Sequence, residues 1–147
     1  MSVLTLDTEP GFEIRGRKYV VSPARMRAFS GGPFEMDNWP LVNIHTDMLH
    51  ALSCGLKKRN ASGTQWQGYI LTMMIDLFGT GWLSHGRIET KFIRMVNEND
   101  VVQPWVRVLA GERVEGGMRF DFDIGCDNER GETVLAGTAS GVLPLGS

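Results

Sequence analysis

The chain has little cysteine: only Cys54 and Cys126 among 147 residues. The two lie far apart, make no metal-ligand spacing, and have no neighbours that would activate a thiolate. Free thiols in a reducing cytoplasm are the expectation. An excess of one charge is also missing. The net charge is −2, which excludes a broad electrostatic footprint for nucleic acid. No apolar run is long enough to span a bilayer, so no membrane partner is expected. Residues 1–4 lack a basic region followed by an apolar core, so no signal peptide is expected. The three histidines, His45, His50 and His85, lack the spacing of a zinc site, and neither a metal nor a cofactor is expected. Repeats and linkers are absent too. A length of 147 residues fits one domain, residues 1–147.

What is present centres on residues 65–79. Ile70, Met73, Met74, Leu77 and Phe78 recur at helical spacing, and Leu71 and Ile75 widen the stripe. A helix apolar on most of its surface must be buried. Gly79 is its stop. Downstream, residues 88–143 read as strand, turn, strand. Met118, Phe120, Phe122 and Ile124 alternate strictly with Arg119, Asp121 and Asp123, as in a half-buried strand. One apolar helix and several long strands predict an α+β fold in which an antiparallel sheet wraps the helix.

The rest of the chain fits around that core. Residues 11–21 predict a first strand. Ser22 and Pro23 predict the N-cap and first position of a short helix. Residues 34–43 are irregular. Thr46 or Asp47 caps a second short helix over residues 48–52. Residues 87–95 and 101–112 predict two more strands separated by a turn at 97–100, and Pro104 marks a bulge or an edge. Residues 127–131 form a hairpin loop and residues 132–143 the returning strand.

Among residues that can carry chemistry, His45 stands out. It sits in a polar loop just before a capped helix, and histidine is the usual proton shuttle near neutral pH. Its alternative is a structural histidine held by backbone groups. His50 and His85 read as surface or packing residues. Asp47 either assists His45 or caps the following helix. Asp76 reads as a solvent-facing residue of the central helix. Gly68, near the expected start of that helix, lets a ligand approach unpaired N–H groups that can hold a developing oxyanion.

Four stretches in order resemble the MaoC-like dehydratase family, hot-dog fold proteins that include (R)-specific enoyl-CoA hydratases. Asn43-Ile44-His45-Thr46-Asp47 is similar to that family's Asn-Pro-Ile-His-x-Asp element. Gln67-Gly68-Tyr69 is similar to its Ala-His-Gly-Met stretch. Residues 91–100 resemble its Arg-Phe-x-x-Pro-Val-x-x-Gly-Asp strand and turn. Asn128 to Glu132 and Gly137-Thr138-Ala139 resemble its Asn-x-x-Gly-Glu and Gly-Thr-Ala ending. The resemblance spans about residues 11–144 and implies the hot-dog fold.

The resemblance also implies a chemistry: addition of water to an enoyl thioester, or its removal from a 3-hydroxyacyl thioester, with coenzyme A as the expected carrier. His45 would move the proton. The Gly68 N–H would hold the oxyanion, with Gln67 and Tyr69 as neighbouring substrate contacts. Lys57-Lys58-Arg59 is either a solvated loop or a phosphate contact for such a carrier. The family's catalytic Asp has no counterpart: five residues before His45 stands Pro40. Asp37 is the nearest substitute, with Glu35 and Asp47 as further carboxylates. Two other readings stay open. One is an isomerase, cyclase or lyase acting on a conjugated carbonyl compound. The other is a silent subunit paired with an active homologue. A thioesterase fits less well, because residues 64–75 contain no carboxylate. A homodimer is the expected assembly, with a heterodimer as its alternative.

Overall fold

The computed structural model describes residues 4–146. In chain order the elements are β1 (Glu13–Arg15), β2 (Tyr19–Val20), α1 (Pro23–Ser30), α2 (Met48–Ser53), α3 (Gly63–Phe78), α4 (Thr80–His85), β3 (Arg87–Phe92), β4 (Val101–Val114), β5 (Gly117–Asn128) and β6 (Thr133–Pro144). The sheet runs β1-β4-β5-β6-β3, with β2 also pairing β4, and all its pairings are antiparallel. α3 lies against this sheet in the arrangement expected of a hot-dog fold.

The alternation in β5 does what its period of two requires. Phe120, Phe122 and Ile124 are fully buried, while Arg119 reaches solvent. They meet Ile70, Met74 and Phe78 of α3, and Phe78 packs edge-on against Phe122 with ring centroids 5.7 Å apart. Each such side chain contributes about 1.5–3 kcal/mol by leaving water. Gly79 ends α3 at φ 55°, a conformation that favours glycine.

Three expectations need correction. The first strand is two short pieces, β1 and β2, because Pro104 of β4 has no N–H to give at the position between them. Gly16 fills the gap, donating its N–H to the Pro104 carbonyl at 2.8 Å. The helix α3 begins at Gly63, two residues before the predicted start. It is also less enclosed than its composition implied, since Thr72, Ile75 and Asp76 are exposed. The chain from α3 to β3 includes α4, which no periodicity announced; Trp82 buries against Phe78 there.

β3 is an edge of the sheet, and Phe92, Ile93 and Met95 are exposed at its end. No helix among the described residues is long and apolar enough to cross a membrane.

Candidate active site

His45 is fixed by two asparagines. The Asn43 side chain ties the loop down: its Nδ2 donates to the Ser30 carbonyl at 2.9 Å, and its Oδ1 accepts the His45 N–H at 2.8 Å. Buried Thr46 closes the turn by donating its hydroxyl to the Leu41 carbonyl. The ring of His45 then reaches across the chain, with Nδ1 2.6 Å from the Asn60 carbonyl oxygen. A carbonyl only accepts, so Nδ1 carries a proton, and in the neutral imidazole Nε2 is then the nitrogen with the lone pair.

Asn60 is itself held firmly. It is buried, and its Nδ2 donates to Asn97 Oδ1 at 2.7 Å. Ala61 donates its N–H to the Val96 carbonyl at 2.8 Å, and Glu98 donates its N–H to the Arg59 carbonyl at 3.0 Å. The Arg59 guanidinium pairs with the Glu98 carboxylate, and both side chains are largely buried. The turn at 97–100 thus anchors the carbonyl that orients His45.

Three residues beyond Asn60, α3 begins at Gly63. The N–H groups of Gly63 and Thr64 have no acceptor within the helix, and no other acceptor among the described residues takes them. They stand at the positive end of the helix dipole. A Cβ at Gly63 would lie 3.0 Å from the Phe92 ring, so this start accepts no side chain without movement. Trp66, also in the first turn, is buried with its indole N–H unpaired.

The early start of α3 changes the role available to Gly68. Gly68 lies in the second turn, where the helical ladder directs its N–H to the Thr64 carbonyl. Its N–H is therefore taken up by the helix, and the unpaired N–H groups at the helix start belong to Gly63 and Thr64. The signal was present in the sequence: Ala61-Ser62-Gly63-Thr64 also fits the Ala-His-Gly-Met pattern. The flanking residues diverge. Gln67 donates to Thr90 Oγ1 at 2.7 Å, joining α3 to β3. Tyr69 faces the other way, stacked on Tyr19 with centroids 3.9 Å apart.

No carboxylate among the described residues hydrogen-bonds His45. Asp47 caps α2, accepting the His50 N–H at 2.7 Å. Asp37 and Glu35 are exposed in the irregular stretch. Pro40 packs against Gly31, where an added Cβ would lie 2.8 Å from its ring. Asp76 lines a cavity of about 290 Å³ with Arg15, Arg17 and Tyr19. His50 and His85 are both exposed. Lys57 and Lys58 are exposed as well, while Arg59 is committed to Glu98. Burial pushes the Cys126 thiol up to about 12, with Asp127 adding to the shift, so this thiol is no nucleophile near neutral pH. No group of three histidine, cysteine or acidic residues among the described residues is placed to hold a metal ion.

No protein-family model and no curated protein matches the sequence. Solved structures do match in fold. R-hydratase PhaJ1 from Pseudomonas aeruginosa superposes with a TM-score of 0.70 at 20% identity, over 94% of this chain and 83% of that one. A MaoC-like dehydratase from Rhodospirillum rubrum gives 0.72 at 20% identity, over 94% of each chain. A chain of the ChsH1-ChsH2 complex from Mycobacterium tuberculosis gives 0.67 at 16% identity, over 92% of this chain and 98% of that one. The chain has the hot-dog fold of the MaoC-like dehydratases.

Proposed function

We propose that the protein is a lyase of the hydratase/dehydratase type, acting on an enoyl or 3-hydroxyacyl thioester. One observation carries this reading: the His45 ring bonds through Nδ1 to the Asn60 carbonyl, three residues before the unpaired N–H groups that open α3, and its Nε2 is left for a substrate. In hydration, Nε2 takes a proton from water as its oxygen bonds to C3. The negative charge moves to the thioester oxygen, where the Gly63 N–H receives it. Nε2 then returns the proton to C2. One shuttle therefore balances the reaction in either direction. Asp37, or Asp47 if it leaves its cap, would orient the water. Gln67, on the β3 side of the helix, would flank the substrate, and acyl-CoA is the carrier to try first. The names of the structures with this fold, a hydratase and a dehydratase among them, support the same chemistry.

A second reading rests on Pro40, which stands where the family places its acid. A histidine without a carboxylate suits proton transfer next to a conjugated carbonyl, as in an isomerase, a cyclase or a different lyase. The same substitution fits a silent subunit beside an active homologue. For assembly we favour a homodimer, or a heterodimer with such a homologue, formed at the exposed β3 edge. Light scattering tests it: a monomer at micromolar concentration contradicts it. Free thiols fit a cytoplasmic setting.

The deciding experiment follows the ultraviolet absorbance of crotonyl-CoA. The unmodified protein consumes it, and His45→Ala lowers turnover by about a hundredfold or more at unchanged melting temperature. Asp37→Asn and Asp47→Asn show which carboxylate assists. No consumption by the unmodified protein favours the second reading. Normal turnover by His45→Ala makes His45 structural.

A further inference from the structure

The carbonyl that holds His45 belongs to a single pair of bridged residues. Asn60 and Asn97 form an isolated antiparallel bridge between the lead into α3 and the turn before β4. The backbone bonds of this bridge lie on either side of the pair: Ala61 donates to the Val96 carbonyl at 2.8 Å, and Glu98 to the Arg59 carbonyl at 3.0 Å. Asn60 and Asn97 are thus the non-bonded pair of an antiparallel ladder. In such a pair the residues leave their own N–H and C=O groups out of the ladder, while their side chains come close. Both consequences are seen. The Asn60 carbonyl is spared from the bridge and meets His45 Nδ1 at 2.6 Å, and Asn60 Nδ2 donates to Asn97 Oδ1 at 2.7 Å.

We propose that Asn97 is a positioning residue for the reaction at His45. Its side chain fixes the Asn60 peptide, and through it both the proton shuttle and the N–H groups that open α3. The inference deepens the hydration reading and rests on it for the effect on turnover, but not for the effect on His45.

Three observations carry it. Asn60 is only 6% exposed, so without Asn97 its Nδ2 is a buried donor lacking a partner. An amide that turns away to find another acceptor no longer restrains the rotation of its own backbone. Next, Asn97 closes its turn without its side chain. Its N–H goes to Asp100 Oδ2 at 2.9 Å and its carbonyl accepts the Asp100 N–H at 3.1 Å. The bond to Asn60 is the one bond its side chain makes among the described residues. Finally, the Asn60 carbonyl is the only hydrogen-bond partner of the His45 ring among the described residues. Ser62 gives α3 no side-chain cap bond either, so the bridge at Asn60 is the nearest upstream pairing for the helix start. One brace therefore sets the spacing between the base and the oxyanion donors.

The test compares Asn97→Ala, Asn60→Ala and the double variant in the full chain. Asn60→Ala keeps the backbone carbonyl and removes only the amide that reaches Asn97. Nitrogen–proton NMR on histidine-labelled protein should show neutral His45 as the Nδ1–H tautomer in the unmodified chain. Each single variant should bring in the Nε2–H tautomer and raise the exchange rate of the Nδ1 proton about tenfold, the worth of one hydrogen bond. The double variant should do no more than either single one, because both cut the same link. Turnover of crotonyl-CoA should fall about tenfold in kcat at nearly unchanged KM. Phe122→Ala, a change in the core, should lower the melting temperature and leave the His45 signals as they are. The proposal is overturned if both single variants keep a pure Nδ1–H tautomer with slow exchange, whatever stability they lose. Additive effects in the double variant, or the same His45 changes in Phe122→Ala, overturn it too. Absence of turnover in the unmodified protein sinks the hydration reading alone, because the NMR result decides the role of Asn97 by itself.

Discussion

The sheet with its helix and the segment linking α1 to α3 are held together by different means. In β5 and β6 the backbone bonds are ladder bonds, and alternate side chains from Phe120 to Ile124 fill one core. Between Gly31 and Ser62 there is one short helix and no strand longer than an isolated bridge. That segment is fixed by side chains bonding to backbone: Asn43 to Ser30, Thr46 to Leu41, Asp47 to His50 and Trp39 to Gly32. The core is a pattern with many equivalent contributors. The segment relies on scattered bonds with no ladder to share the load, and it holds the candidate proton shuttle. Damage to the core should therefore appear as stability, and damage to the segment as activity.

The sharpest break of that contrast from the core side is Phe122→Ala. It removes a fully buried ring that meets Phe78 and Phe120. Chemical denaturation should show a loss of about 3–5 kcal/mol, with the folded fraction keeping its turnover per molecule. A smaller effect is expected from Glu98→Gln, which lies where the two regions meet. It leaves the buried Arg59 guanidinium without its counter-charge and loosens the backbone that presents the Asn60 carbonyl. Both readouts should move: about 1–3 kcal/mol in unfolding, and about tenfold in turnover through a misplaced His45. A change in stability alone would mean that the anchor does not reach the histidine.

The smallest effect is expected at Gly68, with the opposite sign. Gly68→Ala adds a methyl group where nothing lies within 4 Å, and removes backbone freedom from the unfolded chain. Thermal unfolding should show a gain of about 0.5–1 kcal/mol. Gly63→Ala, five residues earlier, meets the Phe92 ring at 3.0 Å and should lose stability instead. The pair separates the helix-start glycine from the mid-helix one.

The same contrast explains what was legible in the sequence. The period-two run of β5 and the helical stripe of α3 announce themselves, because burial repeats along the chain. The caps at Ser22 and Asp47 were also readable, since their side chains act within three residues. The start of α3 was not placed correctly, because Ser62 caps it without a side-chain bond to the helix and Gln65 looked like the first patterned residue. The partner of His45 was hidden for another reason. It is a backbone carbonyl, which every residue carries, so no residue type marks Asn60 as the acceptor. The pairing of Gln65 with Tyr69 was hidden likewise, since their spacing of four is common on any helix.

The central claim is that His45 holds its proton on Nδ1 and presents a bare Nε2. Long-range nitrogen–proton correlation NMR on protein labelled at histidine reads this directly. His45, identified by the signal lost in His45→Ala, should show the Nδ1–H tautomer in its neutral form, with slow exchange of the proton shared with the Asn60 carbonyl at 2.6 Å. A neutral His45 protonated on Nε2 would contradict the account, because the shuttle would then face the substrate without a base.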